Sequence, residues 1–289
     1  MTPPLFPEFK AIGLEDLGFF EDKIERYPPE ASEVTFANTF IWRHFDHPKW
    51  TLINNNLCLY FEPSSEPPYF LQPIGDDRIQ ETIESCLTHA PRLSRIPGSF
   101  VTEFGKNFRC EPDRNNFDYV YLTEELINLK GKRFDGKRNR IKKFEKNHRW
   151  EYHRISSDCL SDCGKLLDEW IKAKAPQNGS MCGEQKAILE ALANFEVLGF
   201  TGCAIDVQGQ VAAFSIGEKL NPDTAVIHIE IVNPAYEGLA QLINREFVRN
   251  EWSTCRFINR EQDLGLPGLR RAKASYYPDH MVKKFDLRR

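Results

Sequence analysis

The sequence predicts an α+β chain of two tandem domains, each a mixed, mostly antiparallel sheet flanked by helices. Three observations carry this. The length of 289 residues exceeds what one compact core usually serves. Near the middle, ten of the twenty residues from Lys130 to Arg149 are Lys or Arg against two acids, a compositional break that marks a junction. Beyond it, helical periodicity gives way to short strands separated by turn signals. The expected domains are 1–130 and 131–289, with a basic helix over 135–147 at the junction.

In the first half, Thr51 to Glu62 reads as a hairpin turning near Asn54 to Asn56, because apolar runs flank an Asn cluster. PPYFLQPI follows as a strand with prolines at both edges. Arg78 to His89 sets Ile79, Ile83 and Cys86 at helical spacing, with Asp76 or Asp77 as the expected cap. Phe117 to Leu122 is aromatic and β-branched, hence a strand. In the second half, Trp150 to Ile155 reads as a strand, Ser157 to about Lys172 as a helix, and Glu184 to Leu198 as a helix closed by Gly199. Three strands then meander through turns at Gln208-Gly209 and Asn221-Pro222-Asp223. A helix from about Tyr236 to Asn250, the strand CRFIN, a helix near Leu266 to Ser275 and a last strand MVKKFDL complete the chain.

Composition excludes some classes. The net charge of −4 suggests neither a general nucleic-acid binder nor a membrane binder, although the central segment carries +8 and leaves −12 for the rest. The N-terminus lacks the pattern of a signal peptide, and no apolar run is long enough to span a bilayer. A cytoplasmic protein is expected. Eight cysteines lack metal-site spacing; Cys159 and Cys163 are one helical turn apart with no second pair. Free thiols and no metal are the expectation.

Strand, two helices, three meandering strands, helix, strand, helix, strand is the element order of the GCN5-related N-acetyltransferase fold, and two such folds in tandem account for the length. Several segments resemble the C-terminal domain family of lysylphosphatidylglycerol synthases, whose tandem acyltransferase folds are related to Fem-type aminoacyltransferases. They are Asp118 to Leu122, Lys137-Arg-Asn-Arg-Ile-Lys-Lys-Phe144, Asn194 to Gly199, Phe214 to Glu218 and His228-Ile-Glu230. Phe257 to Gly265 and Gly268 to Tyr276 complete the set. The resemblance implies a bacterial-type transferase of acyl or aminoacyl groups, with charged tRNA as donor in the best-understood relatives. The membrane-spanning half of the lipid-modifying synthases is not in this sequence, so the acceptor is open between a small molecule and a lipid head group.

Candidate site residues follow from both readings. In acetyltransferases of this fold a loop with two small residues binds the coenzyme A pyrophosphate through backbone N–H groups at a helix start. Here it reads Ala235-Tyr236-Glu237-Gly238-Leu239-Ala240. Gly238 is retained, but Glu237 would repel a phosphate and Ala235 supplies no basic group, so a plain helix start is the alternative. On AVIHIEIV, His228 and Glu230 share the face opposite three isoleucines, and either suits a general base. At the end of the next strand, Asn259, Arg260, Glu261 and Asp263 could line a site: Arg260 for a phosphate or carboxylate, the acids for an amine. A salt-bridged turn is the other reading. Arg270 and Lys273 on the following helix could neutralise a phosphate-bearing donor, and Arg138 and Asn139 enter through the matched motif.

In the basic helix, Phe134, Ile141 and Phe144 form a narrow apolar face, leaving Lys142, Lys143 and Lys146 for a tRNA backbone or an anionic membrane surface. A solvated linker helix is the alternative. Two functions therefore stand. One is an acyl- or aminoacyltransferase using charged tRNA or acyl-coenzyme A and an amine or hydroxyl acceptor. The other is a catalytically silent relative that binds RNA, peptide or a lipid head group.

Overall fold

The computed structural model describes residues 2–64, 66–174 and 183–289. From the N-terminus the elements are β1 (Lys10–Ala11), α1 (Leu17–Arg26), α2 (Phe36–Ile41), α3 (Arg43–Asp46), β2 (Lys49–Ile53), β3 (Asn56–Phe61) and β4 (Tyr69–Phe70). Next come α4 (Ile79–His89), β5 (Leu93–Pro97), α5 (Gly98–Phe104), β6 (Arg109–Pro112), β7 (Asp118–Leu122), α6 (Thr123–Asn128) and α7 (Asp135–Asn147). They continue with β8 (Trp150–Arg154), α8 (Ser157–Lys174), α9 (Gly183–Ala193), β9 (Thr201–Val207), β10 (Gln210–Asn221) and β11 (Thr224–Val232). The last are α10 (Leu239–Glu251), β12 (Phe257–Asn259), α11 (Pro267–Ala274), β13 (His280–Val282) and β14 (Lys284–Arg288).

These elements form two compact units. The first comprises Met1–Tyr119, Glu261–Arg270 and Met281–Arg289; the second comprises Val120–Arg260 and Arg271–His280. There are two mixed, mostly antiparallel seven-stranded sheets, in the orders β1-β2-β3-β4-β5-β14-β6 and β13-β7-β12-β11-β10-β9-β8. Helices flank both, as expected of tandem acyltransferase-like domains. The expectation was a single junction after residue 130. The polypeptide instead leaves the first unit after Tyr119, carries α7 wholly inside the second, and returns to the first twice.

Local chemistry explains most elements. The β2–β3 turn places Asn54 and Asn55 at φ +48° and +64°, and the β9–β10 turn places Gln208 and Gly209 at +56° and +80°. Two consecutive positive φ angles match the twist of a tight hairpin, and Asn and Gly tolerate them best. In the first unit, Cys58, Tyr60 and Phe70 pack with Ile83, Leu93, Ile96 and Leu287. In the second, β9 to β11 bury Ile205, Phe214, Ile216 and Ile229, while α10 buries Leu242 and Phe247. Helix α7 covers the expected residues, with Phe134, Ile141 and Phe144 buried.

Four local expectations differ. The PPYFLQPI strand contracts to Tyr69–Phe70 plus one bridge between Leu57 and Ile74, because the prolines supply no ladder donors. Helix α4 starts after Arg78 at φ +45° with no side-chain cap, and Asp76 instead accepts from Tyr27 Oη at 2.8 Å. Helix α9 ends at Ala193; residues 194–199 form turns closed by Leu198 N to Asn194 O at 2.9 Å and Gly199 N to Glu196 O at 3.1 Å. MVKKFDL is two strands in two sheets, divided at Lys283. Lys284 begins the second, and its fully buried ammonium lies 2.5 Å from Glu33 Oε2 and 2.6 Å from Asp118 Oδ1. Those carboxylates are what let a lysine occupy an internal strand of the sheet.

Among the described residues no helix is long and apolar enough to cross a membrane. The cysteine side chains of 58, 86, 163, 203 and 255 are buried as free thiols, with Cys110 and Cys159 partly so. Cys182 lies outside the described residues.

Candidate functional site

In the second unit, β11 and β12 run parallel and pair from Thr224↔Phe257 to Val226↔Asn259. There the pairing ends, and β11 continues to Val232. Glu230 sits on this extension and Arg260 immediately follows β12, so their side chains meet where the two strands stop pairing. Arg260 Nη2 lies 3.2 Å from Glu230 Oε2, which also accepts from Asn244 Nδ2 of α10 at 3.3 Å. The other amide atom of Asn244, Oδ1, is buried without a hydrogen-bond partner.

Arg260 is packed rather than solvated. Its guanidinium carbon lies 5.0 Å from the centre of the Tyr276 ring and 5.9 Å from that of Tyr121. Tyr121 Oη donates to Lys273 O at 2.8 Å, and Lys273 Nζ donates back to Arg260 O, so the residues following β12 and the end of α11 are tied together. Lys137 of α7 completes the group: its Nζ stands 3.8 Å from the Tyr276 ring centre and 2.7 Å from Ser275 Oγ. Among the described residues no carboxylate pairs with Lys137. Burial, then the nearby charges of Arg260 and Arg140, push its pKa down to about 8. Burial likewise pushes Tyr276 up to about 12. Arg260 on the Glu230 carboxylate, with Lys273 bonded to the Arg260 carbonyl and Lys137 on the other side chain that packs against Arg260, Tyr276, makes a cation-rich group of the kind that stabilises a phosphate or a developing oxyanion.

His228 does not join this group. Ile216 pairs with Ile229 and Gly217 with Ile227, so His228 is the extra residue of a β-bulge. Such a bulge re-aims the side chain. His228 Nε2 contacts Glu218 Oε1 at 2.8 Å and is 2 % exposed. Gly217 is required by the same bulge, since a Cβ there would lie 2.3 Å from Val226 O.

The loop before α10 is engaged internally. Ala235 N binds Asn233 Oδ1 at 3.0 Å, Tyr236 N binds Asn233 O at 3.3 Å, and Leu239 N binds Tyr236 O at 3.3 Å. Gly238 has φ +96°, and a Cβ there would lie 2.4 Å from Arg140 O of α7. Its smallness thus serves helix packing. Glu237 pairs with Lys143 at 2.6 Å. A pocket of about 290 Å³ beside this loop is lined by Asp162 and its partner Lys165, by Glu169 and Asp206, and by Asn233 and Tyr236, so the acids outnumber the one base.

The other expected residues fall elsewhere. Asp263 and Arg270 belong to the first unit. The fully buried Asp263 carboxylate receives Arg270 Nε and Nη2 at 2.8 Å each, Tyr119 Oη at 2.6 Å, Arg114 Nη1 at 3.1 Å and Gly265 N at 2.8 Å. Burial alone would raise its pKa, but these hydrogen bonds win and hold it well below the usual carboxylate range. Arg138 is turned onto its own loop, donating to Gly131 O at 2.9 Å as well as to Leu129 O and Asp135. Asn139 is exposed and Asn259 is buried within β12. Glu261, at φ +55°, accepts Tyr119 N at 3.2 Å through its carbonyl. Lys142, Lys143 and Lys146 are all exposed.

Sequence reasoning missed Lys137, Tyr276 and Tyr121 as individuals, although the matched segments contain all three. Asn244 had a weaker signal, a polar residue at a buried helical position. A pocket of about 560 Å³ under α6, lined by Thr123, Lys130, Phe134, Cys255 and Arg256, holds none of the expected site residues.

Known proteins place this architecture. A structure from Bacteroides thetaiotaomicron, described as a conserved protein of unknown function, superposes with TM-score 0.88 at 29 % identity, covering 97 % of this chain and 98 % of that one. L-PGS from Bacillus licheniformis superposes with TM-score 0.68 at 14 % identity, over 94 % of this chain and 91 % of that one. FemX does so with TM-score 0.57 at 8 % identity, over 96 % of each. An uncharacterised protein of Mycoplasmoides gallisepticum is 24 % identical over 179 residues, 58 % of this chain, and the chain spans only 54 % of that relative's length. The family model described as phosphatidylglycerol lysyltransferase, C-terminal, matches residues 24–288, nearly the whole sequence, and the chain belongs to that family.

Proposed function

We propose that this protein transfers an aminoacyl group from charged tRNA to an amine or hydroxyl acceptor, with the chemistry at Glu230, Arg260 and Lys137. The observation that carries the reading is the Arg260–Glu230 pair at the point where β11 and β12 stop pairing, with Lys137 against Tyr276 and, among the described residues, paired with no carboxylate. The acceptor nitrogen or oxygen attacks the ester carbonyl while Glu230 takes its proton. Lys137 and Arg260 stabilise the negative carbonyl oxygen of the tetrahedral intermediate. The bond to the ribose oxygen then breaks, and that oxygen receives the proton from Glu230. His228, engaged with Glu218 in its bulge, is set aside as the base.

The loop before α10 favours tRNA over acyl-coenzyme A. Three of its amides are already used, Gly238 lies under α7, and the adjoining pocket is acidic. Lys142, Lys143 and Lys146 supply an exposed basic face for the tRNA backbone. The test is loss of radiolabel from a mixture of aminoacyl-tRNAs, offered a panel of amines and phosphatidylglycerol vesicles as acceptors. The wild type should accelerate the loss and Glu230→Gln should not. Stable tRNA binding without any accelerated loss would replace this reading with a silent RNA-binding relative. Stabilisation by acetyl-coenzyme A would replace tRNA as the donor.

A further inference from the structure

The second unit carries a cavity that the transfer chemistry does not use. It measures about 560 Å³ and lies at the start of β12, beside Arg256, whereas Arg260 follows the other end of that strand. Its walls come from three stretches that backbone hydrogen bonds hold in place. Leu122 ends β7 opposite Phe257, and Thr123 N donates to Arg256 O at 3.1 Å, which fixes the corner where α6 begins. Helix α6 stops at Leu129, φ +47°, and Gly131, φ +88°, turns the chain back so that Phe134 N donates to Gly131 O at 3.2 Å. In the third stretch, Cys255 N donates to Trp252 O at 3.0 Å and Arg256 N to Asp223 O at 2.9 Å. A cavity framed in this way exists before any ligand arrives, and its volume is in the range that small molecules fill.

Wall and rim differ in character. Leu122, Ile127, Phe134 and Cys255 give the cavity an apolar wall. Its charged residues are Glu124, Glu125, Lys130 and Arg256. Glu124 pairs with Lys130 at 3.7 Å, and Glu125 pairs with Arg133. Arg256 is exposed and, among the described residues, pairs with no carboxylate; its guanidinium carbon stands 4.9 Å from the centre of the Phe257 ring. Each acid of the rim therefore has a base, and Arg256 is the cation left over beside an apolar chamber.

We propose that this cavity binds an amphiphilic monocarboxylate, its apolar body against the wall and its carboxylate on Arg256. A neutral apolar molecule would leave the guanidinium unanswered. An amine would set its charge against Arg256 and find both glutamates taken. A dianion would bring one negative charge more than Arg256 can match, close to Glu124 and Glu125. A single carboxylate accepts two parallel hydrogen bonds from the planar guanidinium while the body leaves water. All the residues concerned belong to the second unit.

The experiment is calorimetric titration and thermal melting of the full chain with butanoate, hexanoate, octanoate and phenylacetate, each below any micellar concentration. Octanol, octylammonium and acetate supply the body without charge, the body with the opposite charge, and the charge without the body. Octanoate or phenylacetate should bind saturably and raise the melting temperature, and the aliphatic series should tighten by up to about fourfold per methylene. Arg256→Gln, a change at an exposed side chain, should weaken the carboxylates about fivefold or more. Ile127→Trp fills the cavity from a half-buried position and should abolish binding. A separate reading locates the ligand: octanoate should slow iodoacetamide labelling of Cys255 about threefold or more, and leave that of Cys110 in the first unit unchanged. Glu230→Gln should bind octanoate as the wild type does, whether or not transfer activity is found. Four results would overturn the proposal: no binding of any carboxylate, octanol or octylammonium binding as tightly as octanoate, undiminished binding by both cavity variants, or equal slowing at Cys255 and Cys110.

Discussion

Two arginine–carboxylate clusters, one in each unit, follow each other closely in sequence and differ in how far their charges are satisfied. In the first unit, Asp263 is fully buried and accepts five hydrogen bonds from Arg270, Tyr119, Arg114 and Gly265. In the second, Glu230 faces one arginine and one amide, and among the described residues no carboxylate pairs with the neighbouring Lys137. A saturated carboxylate holds structure and has nothing left to offer a ligand. An under-compensated group of cations keeps its interaction free energy for whatever arrives. The comparison teaches that polar residues alone do not distinguish a structural knot from a reactive site; the count of their partners does.

Replacing Asp263 should show the largest effect on folding. Asp263→Ala takes the acceptor from two guanidinium groups, the partly buried Gly265 N–H and the buried Tyr119 hydroxyl, and should cost about 3 kcal/mol in urea unfolding. The pH dependence has a definite sign. The folded pKa of Asp263 lies below its unfolded value, so its contribution is complete above about pH 4 and fades as pH falls towards the folded pKa. The gap in stability between wild type and Asp263→Asn should therefore narrow in acid; a gap that widened would break the comparison.

The second unit should respond the opposite way. Glu230→Gln should lower aminoacyl transfer by about a hundredfold or more, while its loss of stability should stay well below that of Asp263→Ala, because the glutamine keeps an oxygen to accept from Arg260 and Asn244. A large loss of stability with normal turnover would make Glu230 another structural knot. Lys137 adds a pH test. It is charged below about pH 8 and neutral above, so donor affinity should fall as pH rises through that value. Lys137→Arg, which stays charged, should remove this alkaline limb from the pH profile of donor affinity. The smallest expected effect on the fold is that of Lys142→Ala with Lys146→Ala. Stability should move by less than about 0.5 kcal/mol, but tRNA affinity should fall and its salt dependence flatten by about 0.9 per lost phosphate contact.

Elements set by their own residues were legible in advance. The Asn54-Asn55 and Gln208-Gly209 turns and the buried stripe of α7 each depend on residues a few positions apart. What was not legible depends on contacts across the chain. Arg260 and Asp263 read as one polar segment, yet the polypeptide passes from one unit to the other between Arg260 and Glu261. Likewise Val282 and Lys284 read as one strand, because the sheet each joins is decided by partners more than a hundred residues away. Of the candidate site, Glu230, Arg260 and Lys273 were named on strand alternation and motif. Lys137 was hidden by its surroundings, one lysine among many in a basic run. Only burial against Tyr276 and the charges of Arg260 and Arg140 sets it apart.

The position of β14 bears on how the molecule is made. It lies between β5 and β6, inside the first sheet, although more than a hundred residues separate it from either of them in the sequence. While the ribosome works through residues 113–283, β5 and β6 wait without the strand that joins them, and the carboxylates of Glu33 and Asp118 wait without Lys284. The unit begun first is therefore the unit finished last. During that interval its open strand edges, rather than anything in the later-made unit, are where a chaperone has most to protect.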